Sequence, residues 1–136
     1  MPTNQRLILC VDDDPDDHML VCDVIKDADE SLNVVGARNG EEALKILEAG
    51  KESGELPCLI ILDINMPRMD GKQTLVEIKK DEQLRELPVV MLSTSSSPVD
   101  KLFCEHYGVA LYTKPDNLAA FHPILKKLLS HCSDPV

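Results

Sequence analysis

The sequence predicts an α/β fold in three layers, with a doubly wound parallel five-stranded sheet between helices. Two observations carry that expectation. Short aliphatic runs alternate five times with segments of helical periodicity, which implies right-handed crossovers and helices on both faces. Two of those runs, Leu7-Ile8-Leu9-Cys10-Val11 and Leu59-Ile60-Ile61-Leu62, are apolar throughout, as strands buried on both faces must be. Both end in acids: Asp12 and Asp13 close the first, and Asp63 closes the second. In open α/β sheets ligands bind at the carboxyl edge of the strands, which is where these acids would meet.

The elements follow in order. Strands are expected at 7–11, 34–37, 58–62, 89–92 and 109–113, and helices at 15–27, 40–49, 71–80, 98–106 and 118–130. Asp14 before Pro15 reads as an N-cap followed by the first helical position. Asn39 and Glu42 have capping-box spacing, and Ser97 before Pro98 repeats the cap-and-proline device. Gly50 and Gly108 are placed to stop their helices. The polar stretch 50–57 is a loop; a boundary there would leave two pieces too small to fold, so one domain is expected across 1–136, with its core at about 5–130. The last helix carries an apolar stripe of Leu118, Phe121, Ile124, Leu125, Leu128 and Leu129, interrupted by Pro123. Proline removes a hydrogen bond and crowds the preceding turn, so the helix either starts with His122 as cap or kinks there. The first of these is preferred.

Composition narrows the function. The chain has 136 residues, 43% of them hydrophobic and 28% charged, which is ordinary for a folded domain. A formal net charge of -10 opposes direct nucleic-acid binding, which requires clustered Lys and Arg. No apolar stretch approaches the roughly eighteen residues that span a bilayer, and the N-terminus lacks a signal-peptide core, so the expected location is cytoplasmic with no membrane insertion. Five widely spaced cysteines without a C-x-x-C pair fit reduced thiols better than a disulfide framework or a zinc site. The four histidines read as surface residues.

Clustered carboxylates repel one another, and a hard divalent cation with oxygen ligands would make their meeting favourable. Later strand ends add a hydroxyl at Ser93 or Thr94 and an ammonium at Lys114. Three carboxylates, a hydroxyl and an ammonium at one edge suit phosphoryl transfer to a carboxylate. No general base is needed, because the acid is already ionised. For each residue alone a plainer role exists: Asp14 caps a helix, Asp16 and Asp17 are solvated first-turn acids, and Met66 and Met69 fix a loop by packing.

The segments Val11-Asp12-Asp13-Asp14-Pro15, Asp63-Ile64-Asn65-Met66-Pro67-Arg68-Met69-Asp70-Gly71, Ser93-Thr94 and Lys114-Pro115 resemble the receiver domain of two-component response regulators, chemotaxis-regulator-like, over about residues 5 to 130. The resemblance implies a flavodoxin-like sheet of strand order 2-1-3-4-5. It implies Asp63 as phosphoacceptor, with Asp12 and Asp13 as the acidic pair around Mg²⁺ (or Mn²⁺). Asp13 would be the direct ligand, and Asp12 would act largely through water. Asn65 would complete the metal shell with its main-chain carbonyl. Ser93 would be the switch hydroxyl, with Thr94 its neighbour, and Lys114 would contact the phosphate. The implied partners are a histidine kinase or histidine phosphotransfer protein as donor and a downstream protein as target, with a homodimer possible. Such a chain is no conventional enzyme, although it catalyses its own Mg-dependent phosphorylation and dephosphorylation. The short tail after the last helix implies a stand-alone receiver with no output domain.

Between Gly108 and Lys114 the chain is one residue shorter than the family pattern. The aromatic that the family places three before the lysine falls on Leu111, with Tyr112 beside it. Other readings fit less well. A haloacid-dehalogenase-like phosphatase would want a second acid where Asn65 stands, and a flavodoxin would want phosphate-binding Ser, Thr or Gly after the first strand. A degenerate receiver serving only as an interaction module is opposed by the intact acids, hydroxyl and lysine.

Overall fold

A computed structural model of the chain describes residues 6–28, 32–66, 69–93, 97–113, 123, 126 and 127. Five strands, β1 (Arg6–Val11), β2 (Leu32–Ala37), β3 (Leu59–Asp63), β4 (Val89–Ser93) and β5 (Ala110–Thr113), alternate with α1 (Pro15–Ala28), α2 (Gly40–Ser53), α3 (Gly71–Lys80) and α4 (Pro98–Tyr107). All four strand pairings are parallel, in the expected order β2-β1-β3-β4-β5. The expected helix at 118–130 lies largely outside the described residues; Pro123, Lys126 and Lys127 are helical.

Hydrophobic pattern decides the layers. β3 and β4 are buried along their whole length, as central strands covered on both faces must be. Alternate residues of β1 and β3 feed two separate cores. Leu9, Val11, Ile60 and Leu62 pack with Ala43 and Leu47 of α2, Leu75 and Ile78 of α3 and Cys104 of α4. Ile8, Cys10, Leu59 and Ile61 pack with Val21, Val24 and Ile25 of α1. One face therefore carries α2, α3 and α4, and the other carries α1.

Helix ends follow their caps. The Asp14 carboxylate accepts from the Asp16 and Asp17 N–H groups at 2.9 and 3.4 Å. Asn39 accepts from the Glu42 N–H at 2.9 Å, and Ser97 from the Asp100 N–H at 3.1 Å. Asp70 and Gln73 form a reciprocal capping box that starts α3. Gly108 ends α4 in the left-handed conformation, with φ +67°.

Two expectations are corrected. Gly50 does not stop α2: the helix runs on to Ser53, and Gly54 supplies the left-handed cap at φ +82°. Gly50 is needed for space instead, since a Cβ there would lie 2.7 Å from the Glu55 carbonyl oxygen as the chain folds back. The expectation of reduced thiols fails at Cys58, which is disulfide-bonded. Even spacing says nothing about pairs brought together only by the fold. Cys10, Cys22 and Cys104 are free. Among the described residues no helix is long and apolar enough to cross a membrane.

Candidate functional site

The parallel sheet brings the expected acids together at its carboxyl edge. β1 and β3 are neighbours, with Val11 paired to Leu62, so the residues that follow each strand emerge side by side. Asp12, Asp13 and Asp63 each offer a carboxylate oxygen, and the three atoms lie within 4.8 Å of one another. Asp12 and Asp63 are buried, at 5% and 4% exposure, whereas Asp13 is exposed. A set of hard, anionic oxygen donors this close fits a divalent cation, with one open side for its remaining ligands.

Local hydrogen bonds hold the acids in place. The Asp12 carboxylate accepts from the Asp14 N–H at 2.9 Å, while its own N–H donates to the Ala37 carbonyl of β2. The Asp63 carboxylate accepts from the Asn65 N–H at 3.3 Å. The loop after Asp63 is drawn tight: the Gly71 N–H donates to the Ile64 carbonyl at 3.0 Å, and the Ile64 N–H donates to Leu92 of β4. A Cβ at position 71 would fall 2.3 Å from the Asp63 carbonyl oxygen, so glycine is required where α3 begins. Met66 closes the loop from below as part of the core, and the Met69 carbonyl accepts from the Gly40 N–H.

Ser93 ends β4 beside this cluster and is buried, at 1% exposure. Asn65 is exposed on the loop after Asp63. Lys114 and Thr94 lie outside the described residues. On β5 the pairing Met91 to Leu111 and Leu92 to Tyr112 sets the parity. Leu111 packs against the core of the α2–α3–α4 face and lines a groove of about 250 Å³ with Lys101, Cys104 and Glu105 of α4, whereas Tyr112 packs on the α1 face. The residue that β5 presents to α4 is therefore leucine.

Sequence reasoning missed two features here. His18, expected at the surface, is half-buried over Gly36: a Cβ on Gly36 would lie 2.4 Å from its ring. Its Nε2 stands 3.5 Å from the Cys22 sulfur, both lining a cleft of about 800 Å³ that opens beside Asp12 and Asp13. The spacing of His18 and Cys22 by four residues on a helix was the available signal. Burial pushes the Cys22 thiol up, against the pull of Lys26. The second is an ion pair between Lys72 of α3 and Asp100 of α4 at 2.6 Å. No sequence signal links residues twenty-eight apart on two helices.

The geometry agrees with known proteins. Residues 8–125 match the family described as the response regulator receiver domain. The chain is 35% identical over 116 residues to response regulator Rcp1 of Synechocystis sp., a match covering 83% of this chain and 79% of that protein. Among solved structures, the phosphorylated cyanobacterial phytochrome response regulator RcpA superposes with a TM-score of 0.84 at 33% identity, over 94% of each chain. The Mn²⁺-bound form of Rcp1 gives 0.81 at 32% identity over 92% of each.

Proposed function

The chain belongs to the response regulator receiver-domain family, and from that premise we propose that Asp63 is its phosphoacceptor, served by a divalent cation held by Asp12, Asp13 and Asp63. The observation that carries this reading is the convergence of the three carboxylates within 4.8 Å. Receiver domains work with histidine kinases, so the donor is the phosphohistidine of a kinase or of a phosphotransfer protein.

In the reaction one Asp63 carboxylate oxygen attacks phosphorus, the P–N bond to the donor imidazole breaks, and that nitrogen leaves with the electron pair. The product is an acyl phosphate, and no general base is needed, because a carboxylate attacks in its ionised form. A hard divalent cation, Mg²⁺ or Mn²⁺, would offset charge on the phosphoryl oxygens when bound. Asp12 and Asp13 would hold it with Asp63, and Asn65 would add its main-chain carbonyl. The buried Asp63 side chain is kept on one heading by the Asn65 N–H, so the nucleophile is positioned before the donor arrives. Ser93 donates its hydroxyl to a phosphoryl oxygen and Lys114 contacts another. The resulting pull on Ser93 biases the surface around β4, α4 and β5 between two arrangements, read by a downstream protein.

Incubation with acetyl phosphate and Mg²⁺ will label the wild type at a single site with a phosphate that is lost in both acid and alkali and is released by hydroxylamine, as an acyl phosphate must be. Asp63→Asn will abolish the label. Label that persists in that variant overturns the assignment.

A further inference from the structure

A charged pair sits beside the loop that follows Asp63. Lys72 is the second residue of α3, directly after Gly71, whose N–H donates to the Ile64 carbonyl next to Asp63. Its ammonium reaches across to the Asp100 carboxylate at 2.6 Å, with the two side chains 28% and 12% exposed. Asp100 lies in the first turn of α4, and its N–H is bound by the Ser97 cap. The same ammonium lies 5.5 Å from the centroid of the Phe103 ring, which in turn meets Tyr107 at 5.0 Å. One cation thus binds the first two turns of α4 to the start of α3 through a carboxylate and an aromatic face. Both partners line a cavity of about 390 Å³ with Asn65 and Met66.

Ser93 and the Ser97 cap are four residues apart, so a displacement of Ser93 toward Asp63 has a short covalent route to the first turn of α4. On the other side of α4 the strand β5 offers Leu111, not an aromatic ring, so no ring is available there to change places as α4 shifts. The contact that must yield is the one with Lys72. Because the pair is half-buried, solvent screens it less than an exposed pair, and stretching it is correspondingly opposed.

We propose that Lys72 and Asp100 are positioning residues for the phosphorylation of Asp63, their ion pair setting how readily α4 gives way when Ser93 engages the phosphoryl group. The proposal rests on Asp63 being the phosphoacceptor. Neither residue touches the reacting atoms; each acts through α4.

The test compares wild type, Lys72→Met, Asp100→Asn, the double variant and Lys72→Arg. Two readouts are needed: labelling by acetyl phosphate with Mg²⁺ across donor concentrations, and amide hydrogen exchange of residues 99–104 without donor. Each single variant will raise the labelling rate constant at saturating donor by roughly three- to tenfold while leaving the half-saturating donor concentration unchanged. The double variant will match Lys72→Met, because the ion pair is already lost in that single variant. Lys72→Arg will restore the wild-type rate, and exchange in α4 will quicken in the singles alone and together. Thermal unfolding of each variant confirms that the fold is intact. Labelled wild type with unchanged or slower variants, or effects that add in the double variant, overturns this proposal alone. Absence of label in the wild type overturns the assignment of Asp63 and this proposal together.

Discussion

The centre of the sheet and its β5 edge are built to different standards. At the centre, β3 is buried along its full length, flanked by β1 and β4, and Asp63 is tied at once to the loop and to the start of α3. At the edge, β5 is four residues long and half-exposed, with a groove between it and α4. Two large apolar side chains of α4, Val99 and Leu102, lie two-thirds exposed, each at 66%. Close packing yields little and fixes geometry, whereas a thinly covered element opens at lower cost. Chemistry that needs carboxylates held to within a few tenths of an ångström belongs at the centre. A response that must alter a surface belongs at the edge.

Truncation of one leucine in each region tests that division most strongly. Leu62→Ala, at a site with no exposure, will cost about 2–5 kcal/mol in urea unfolding, with the slope of the transition unchanged. Leu111→Ala will cost less than about 1.5 kcal/mol, because its cavity is open to the groove. Equal costs would break the comparison. A smaller effect separates function from stability at the centre itself. Asp13→Asn will weaken Mg²⁺ binding by at least about tenfold, measured by calorimetry. The same variant will raise the thermal midpoint in chelator, since one of three clustered like charges is gone. A midpoint that falls would mean that the acids do not repel at that spacing.

The smallest effect lies away from both regions, where Lys51 of α2 meets Asp81 after α3 at 2.6 Å. The Lys51 ammonium, joined by the Gln83 N–H, holds the Asp81 carboxyl below the usual carboxylate value. A lowered folded value means that the contribution is present above the unfolded value near 4 and lost as pH falls through the folded one. Lys51→Met will therefore lower the urea midpoint slightly at pH 7 and leave it unchanged near pH 2. A larger difference in acid than at neutrality would reverse the sign.

Most of the architecture was legible because it rests on period and punctuation. Apolar runs at 7–11 and 58–62 could only be buried strands, and Asp14, Asn39, Ser97 and Gly108 mark helix ends through their own backbone chemistry. The acid cluster was legible because parallel strands place their carboxyl ends at one edge, so two strand-terminal acids become neighbours without any detailed geometry. What escaped depended on side chains meeting across elements. Gly50 read as a stop, although the chain's return past Glu55 is what demands a glycine there. His18 over Gly36, the pair of Lys72 with Asp100 and the disulfide at Cys58 each require coordinates, since separation along the chain carries no sign of them.

Leu111 and Tyr112 illustrate how a change of length differs from a change of residue. A strand alternates its faces at every step, so shortening the approach to it by one position moves no residue sideways but turns each of them over. Here the ring stands one step beyond Leu111, and that single step places Tyr112 in the layer opposite α4. Deletion of a single codon can in this way disconnect a moving part from its lever while leaving the composition of the strand unaltered. Descendants of such an event would be free to rebuild the linkage from whatever charged or aromatic groups already lay across the gap.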